Sequence, residues 1–186
     1  MRLPRRFDDG LMAPPEAGTP ADPILTAALR RWCEEGAFAT SPSPRKPLRV
    51  ARVADEAGVD DAALALDGSH ALARLGRLRG LAWRLTLLAR ECLTSGRARA
   101  QDPWDAGWWR AASLDAAASF RPRRPTLLMV REAHVDALPE LLAALSDSRD
   151  DRDNRDNRDN RARFSEPVRV LVVSSTPIDG VEALRR

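Results

Sequence analysis

Apolar residues recur at helical spacing over Ile24–Trp32, near the start of the chain. Asp22 stands where a helix N-cap is expected and Pro23 takes the first helical position, so the pattern predicts a helix beginning there. The apolar pattern ends by about Gly36. The Pro- and Ser-rich stretch 40–47 that follows can form neither a helix nor a central strand, and it predicts a loop.

Three further segments have the patterns of β-strands. Leu48–Ala54 is apolar at alternate positions, while Thr126–Val130 and Val168–Val173 are continuous apolar runs. Continuous runs of this length are typical of parallel strands that are covered on both faces. Helical patterns lie between the strands, at Ala62–Leu66 and Val135–Leu145. Strands that alternate with helices through short links predict a parallel α/β sheet.

The pattern over residues 70–110 leaves two structures open. Apolar residues fall at near-helical spacing over 70–93, but two glycines interrupt the pattern, and residues 80–89 are also compatible with a buried strand. An Ala-rich helix is expected before Ser119. At the end of the chain, Ile178–Leu184 predicts the start of a last helix.

Composition indicates a domain of ordinary size with disordered segments. The chain has 186 residues, of which 44% are hydrophobic and 31% charged, as in soluble globular proteins. Residues 1–22 are rich in Pro, Gly, Asp and Ala and predict a disordered N-terminal arm, followed by one domain over 23–186. Within that domain, three Arg-Asp-Asn repeats carry no apolar residue, so a disordered low-complexity insertion is expected at about 147–164.

Charge and hydropathy narrow the expected location and partners. No apolar run reaches the roughly 18 residues of a membrane span, and no apolar segment follows the basic N-terminus as in a secretory signal. A cytoplasmic protein is therefore expected. The formal net charge is only +3, which makes nucleic acid an unlikely partner on electrostatic grounds.

The turn after the first predicted strand resembles the phosphate-binding loop, or Walker A motif, of P-loop NTPases. The resemblance is to the signal-transduction ATPases with numerous domains and their AAA/NTPase core, which carry a strand, a loop like Gly-Glu-Ala-Gly-Val-Gly-Lys-Thr, and a helix beginning Ala-Leu-Ala-Leu. The middle of that loop is retained here as Glu56, Ala57, Gly58 and Val59. Four other positions differ, where Asp55, Asp60, Asp61 and Ala62 replace the first glycine, the second glycine, the lysine and the Ser/Thr.

These replacements all act against phosphate binding. Backbone N–H groups, a lysine and a hydroxyl that holds Mg²⁺ are what such a loop offers a nucleotide. Asp60 removes the conformational freedom of a glycine, Asp61 places negative charge where positive charge is required, and Ala62 deletes the metal ligand.

The second apolar run resembles the Walker B strand of the same family. In that motif the run ends in an Asp that orients Mg²⁺, followed by an acidic residue that positions water. Here Arg131 occupies the Asp position and Glu132 matches the acidic residue. The third run resembles the sensor strand, with Ser174 or Ser175 at the polar sensor position. The resemblance therefore implies an α/β fold with a three-layer, P-loop NTPase-like parallel sheet flanked by helices.

A weaker similarity points to superfamily 2 helicases. The sequence Arg131-Glu132-Ala133-His134 is close to a DEAH box, and residues 174–177 are close to the Ser-Ala-Thr-Pro motif. That family also uses a P-loop, so the expected fold is the same. Helicase activity is not expected, because a second motor domain is absent from the sequence and the loop lacks its phosphate-binding residues.

Three other groups of residues bear on binding chemistry. The carboxylates of the Asp55–Asp61 loop offer oxygen ligands to a divalent cation, but their spacing matches no EF-hand and no metal is predicted. Trp104, Trp108 and Trp109 form either a base-stacking platform or an aromatic plug packed against helices. Cys33 and Cys92 lack metal-ligand spacing and are expected to be buried thiols.

The function expected from these observations is that of a non-hydrolysing pseudo-NTPase. It would act as a regulatory, scaffolding or assembly subunit through a protein partner or a homo-oligomer, with the tryptophan segment and the acidic loop as exposed determinants. No cofactor is expected. A divergent ATPase using ATP and Mg²⁺ with Glu132 is the alternative, and a nucleic-acid-binding module using Arg45, Lys46 and Arg49 is a weaker one.

Overall fold

A computed structural model describes most of the chain. The residues it describes are 10–16, 18, 20, 22–37, 48–54, 57–68, 75–93, 102–110, 114–120, 122, 124–146 and 166–184. Asp55, Glu56 and the predicted low-complexity insertion at about 147–164 lie outside the described residues. Within the described residues, no helix combines the length and the apolar character needed to cross a membrane.

The centre of the structure is a mixed six-stranded sheet with the order β1-β3-β4-β5-β2-β6. Neighbouring strands run parallel, except that β1 is antiparallel to β3. The coarse α/β prediction is thereby confirmed, and two of the three predicted strands have the predicted bounds. The strands are β1 (Met12–Ala13), β2 (Leu48–Val53), β3 (Asp105–Trp109), β4 (Thr126–Val130), β5 (Val168–Val173) and β6 (Glu182–Ala183).

Helices connect the strands, and the first begins as its capping residues predict. The carboxylate of Asp22 accepts a 2.9 Å hydrogen bond from the backbone N–H of Ile24, and Pro23 occupies the first turn. The α-helices are α1 (Pro23–Glu34), α2 (Val59–Leu66), α3 (Arg77–Leu93), α4 (Leu114–Ser119) and α5 (Leu138–Ser146). A 3₁₀ helix over Glu132–Ala137 precedes α5, so the predicted helix at 135–145 divides into two types.

Alternate side chains of the central strands enter two different cores. On one face, Leu127 and Met129 pack with the buried faces of α1 and α2. On the other face, Leu128 and Val130 pack with α4, the 3₁₀ helix and α5. Successive side chains of a strand point to opposite faces of the sheet. A strand that is buried on both faces is therefore a continuous apolar run in the sequence, as β4 and β5 are.

The N-terminal segment is ordered over residues 10–16, which corrects the predicted disordered arm there. Leu11 and Met12 are fully buried, and Met12–Ala13 pairs with β3. The approach is close because a Cβ placed on Gly107 would lie 2.8 Å from the carbonyl oxygen of Ala13. The glycine in β3 therefore admits the edge strand, and two apolar residues are enough to fix it in the core.

The structure also decides two other predictions, the last helix at 178–184 and the helix or strand at 80–89. The predicted last helix at 178–184 is wrong: the chain turns at Gly180, whose φ is 76°, and then adds β6 alongside Ala51 and Arg52. A glycine at positive φ, closely preceded by Pro177, breaks a helical path. Of the two structures open for residues 80–89, the helix is present, as part of α3.

Candidate functional site

The parallel strands β2, β4 and β5 carry the three motif-like segments to one edge of the sheet. β5 lies between β2 and β4, with Val173 opposite Val53 and Val172 opposite Val130. The segments that follow these strands therefore emerge side by side at their carboxyl ends, where ligands bind in open α/β sheets. This places the N-terminus of α2 at the same edge as Glu132 and the two sensor-like serines.

Glu132 and the sensor-like serines form one hydrogen-bonded cluster. The Oε1 atom of Glu132 accepts hydrogen bonds from the Ser175 hydroxyl at 2.8 Å and from the Ser175 backbone N–H at 3.2 Å. The Ser174 hydroxyl lies 3.2 Å from the same oxygen. The bond from the Ser175 hydroxyl is the main cause that lowers the pKa of Glu132, which is exposed to solvent. The predicted acidic and sensor positions are thus brought together, with the carboxylate ionised at neutral pH.

The turn that bears these serines is fixed to β2 as well as to β5. The backbone N–H of Ser174 donates to the carbonyl of Val53 at 3.0 Å. The guanidinium of Arg52 donates to the carbonyl of Ser174 at 2.8 Å and to that of Ser175 at 3.3 Å. Since these bonds satisfy backbone groups at the strand ends, the serine cluster is held by the sheet rather than by a free loop.

The N-terminus of α2 carries its own negative charges. Gly58 precedes the helix in the left-handed conformation and offers no side chain to cap it. Asp60 and Asp61 lie in the first turn, where the helix dipole favours carboxylates. Asp60 Oδ1 accepts a 2.7 Å hydrogen bond from the indole Nε1 of Trp108 and a 3.3 Å bond from the backbone N–H of Glu16. Asp60 is therefore fixed at the helix end that would otherwise attract an anion.

Trp108 connects Asp60, in the first turn of α2, with Arg131, at the end of β4. The guanidinium carbon of Arg131 lies 4.5 Å from the centroid of the Trp108 ring, within cation–π range. The edge of the same indole donates to Asp60. Arg131 and Asp60, which the sequence resemblance aligns with the Walker B aspartate and the second Walker A glycine, thus contact one side chain. Sequence reasoning missed this role, although the alternation of a strand places Trp108 and Trp109 on opposite faces.

The predicted exposed tryptophan surface is wrong. Trp104, Trp108 and Trp109 retain only 2%, 3% and 5% of their accessible area, so none of them offers a contact or stacking platform. Trp109 instead lies edge-on to His134, with the ring centroids 6.3 Å apart. The aromatic plug was the correct alternative, because a strand fully buried on both faces leaves no ring in solvent.

Two further features of the fold, its possible metal ligands and its arginines, bear on binding chemistry. Among the described residues, no cluster of three or more His, Cys, Asp or Glu side chains has the geometry of a metal site. At the opposite end of β2, Arg49 pairs with Glu35 at 3.0 Å and with Glu182 at 2.5 Å, and it lies over the ring of Trp32. Arg45 and Lys46 lie outside the described residues.

Comparison of the chain with protein-family models, with curated proteins and with solved structures finds no match. The residues that point to a function are therefore those at the carboxyl edge: Asp60, Trp108, Arg131, Glu132, Ser174 and Ser175. The resemblance to P-loop NTPases remains a prediction from the sequence.

Proposed function

We propose that this chain is a non-hydrolysing pseudo-NTPase that acts as a regulatory, scaffolding or assembly subunit through protein contacts. The observation that carries the proposal is the shared contact of Asp60 and Arg131 with the buried Trp108. Residues that replace phosphate and magnesium ligands are here parts of one packed structural unit. A loop stabilised in this way keeps its fold without a nucleotide.

Electrostatics at the start of α2 supports the same proposal. A nucleotide in the usual pose would bring its phosphates to the helix N-terminus, next to Asp60 and Asp61. Each pair of like charges about 5 Å apart costs roughly 1–3 kcal/mol, depending on solvent screening. A ligand that binds at about 1 mM gains only ~4 kcal/mol in total, so repulsion by two carboxylates is comparable with its whole binding free energy.

A restored loop gives the sharpest test of this proposal. Asp55→Gly, Asp60→Gly, Asp61→Lys and Ala62→Thr together recreate the sequence Gly-Glu-Ala-Gly-Val-Gly-Lys-Thr. Calorimetric titration with ATP is expected to show no binding to the wild type and measurable binding to the fourfold variant. Binding to neither protein would show that the loop geometry is not that of a P-loop, and the proposed pseudo-NTPase would be wrong.

A divergent ATPase is the second candidate, because Glu132 is held in place and ionised. Its carboxylate is exposed, and the hydrogen bonds from Ser175 lower its pKa. This alternative requires Mg²⁺-dependent ATP turnover that disappears in Glu132→Gln but persists in Asp136→Asn, which changes a nearby exposed carboxylate. Turnover with that pattern would replace the pseudo-NTPase proposal with an active enzyme.

The nucleic-acid-binding alternative receives less support. Of the three basic residues that suggested it, Arg49 is paired with two carboxylates and its side chain is only 12% exposed. A cation engaged in this way is not available to a phosphate backbone. Strong, salt-sensitive binding of DNA or RNA would nevertheless restore that alternative.

A further inference from the structure

Helix α3 presents an apolar stripe to solvent. Leu78, Leu81 and Leu85 retain 84%, 52% and 56% of their accessible area. Their spacing of three and four residues places them on one face of the helix. Within the part of the chain that the structure describes, α3 makes no extensive contact with another helix or strand. Adjacent large apolar side chains in this exposed state indicate a contact surface.

The charge of α3 restricts what can cover this stripe. The helix contains four arginines and one glutamate. Arg77 and Arg79 are exposed in its first turn, where the helix dipole disfavours positive charge. Pairing of two α3 helices would bring arginine-rich faces together. An acidic counterpart is therefore favoured over a second α3.

Such a counterpart exists on the same chain, in the groove between α4 and α5. The groove has a volume of about 510 Å³, and its apolar lining includes the half-buried residues Leu114, Ala118 and Ala144. Asp115 and Glu140, both exposed, line its rim. The stripe from Leu78 to Leu85 spans about 10 Å and α5 about 13 Å at 1.5 Å per residue, so the lengths agree.

We propose that α3 of one copy docks into the α4–α5 groove of a second copy. The leucine stripe would cover the apolar lining, while arginines at the start of α3 would pair with the carboxylates of the rim. Because stripe and groove are different surfaces, the contact is heterologous and extends to short chains or closes to a ring. This inference rests on the proposed action through protein contacts and names the surfaces that make them.

The small area of the contact predicts weak association. Three leucines and a short groove bury less than a standard protein interface, so dissociation constants from about 10 µM to 1 mM are expected. Sedimentation velocity of the full chain over that concentration range measures this association. Increasing salt should weaken it, because the rim contacts are charged.

Two variants with matched controls test both surfaces. Leu81→Glu disrupts the stripe and Glu140→Arg disrupts the rim, and each is expected to weaken association at least about tenfold. Ile24→Glu and Asp136→Arg change exposed residues outside both surfaces and should leave association unchanged. An equimolar mixture of Leu81→Glu and Glu140→Arg should associate again. The Leu81→Glu variant retains an intact groove, and the Glu140→Arg variant retains an intact leucine stripe.

The outcomes separate this inference from the proposed function. A wild type that stays monomeric at 1 mM overturns the inference, as does association that Leu81→Glu abolishes but Glu140→Arg leaves unchanged with no recovery on mixing. That second pattern would indicate contact between two α3 helices. Nucleotide binding in calorimetry, with self-association intact, would instead overturn only the proposed loss of nucleotide binding.

Discussion

The indole Nε1 of Trp108 donates a 2.7 Å hydrogen bond to the carboxylate of Asp60. This contact joins a strand at one side of the sheet to the first turn of α2, and the residues are 48 positions apart in the chain. Arg131 stacks on the same ring from the end of β4. These two contacts of Trp108 therefore stabilise the carboxyl edge of the parallel strands.

Loss of this hydrogen bond should destabilise the protein. Trp108→Phe keeps an aromatic ring under Arg131 but removes the donor to a charged acceptor, and we expect it to lower the free energy of unfolding by about 1.5–3 kcal/mol. Trp109→Phe is the matched control, since among the described residues Trp109 Nε1 has no hydrogen-bond partner. Urea unfolding of both variants measures the difference. Equal losses would show that ring volume, rather than the bond, matters.

Gly107 should be intolerant of a side chain. A Cβ at this position meets Ala13 O at 2.8 Å and Met12 Cβ at 2.9 Å, so Gly107→Ala should displace β1 and cost about 1–3 kcal/mol. Limited proteolysis should then cut the segment 10–16 faster than in the wild type. Gly18→Ala, where nothing lies within 4 Å, is expected to have neither effect. Unchanged proteolysis of Gly107→Ala would contradict the described pairing of β1.

The amino-acid pattern predicts the interior of this fold better than its edges. Thr126–Val130 and Val168–Val173 have the bounds observed because strands covered on both faces must be apolar at every position. β1 and β6 each contain only two residues. So short a segment shows no periodicity, and its pairing depends on a partner that is distant in the chain.

The sequence predicts only part of the candidate site, namely the residues that follow recognisable strands. Glu132 and Ser175 follow strands that the sequence identifies, and adjacent parallel strands bring them together. The contacts of Trp108 could not be predicted, because β3 was not recognised as a strand and the face on which each tryptophan lies depends on its register. Without that register, a buried tryptophan and an exposed one have the same sequence signature.

Glu132 should contribute to stability in a pH-dependent way. Hydrogen bonds from Ser175 lower its pKa in the folded state, so its contribution is present above the unfolded pKa of about 4.3 and is lost as pH falls through the lower folded value. The difference in unfolding midpoint between wild type and Glu132→Gln should therefore shrink in acid. An NMR titration in which Ser175→Ala leaves the pKa of Glu132 unchanged would contradict this assignment.

Cys33 should be unreactive in the folded protein. Its side chain is fully buried, and desolvation raises the pKa of the thiol well above its ordinary range. In a Cys92→Ser background, labelling by a thiol reagent at pH 8 should occur only as fast as the protein unfolds. Rapid labelling under native conditions would show that α1 opens without global unfolding.

Calorimetric titration of the wild-type protein with ATP in the presence of Mg²⁺ decides whether this chain binds nucleotide. The structure carries Asp60 and Asp61 in the first turn of α2, and we expect no binding heat at nucleotide concentrations up to about 1 mM. Saturable, Mg²⁺-dependent binding to the wild type would contradict the account and indicate a nucleotide-binding protein.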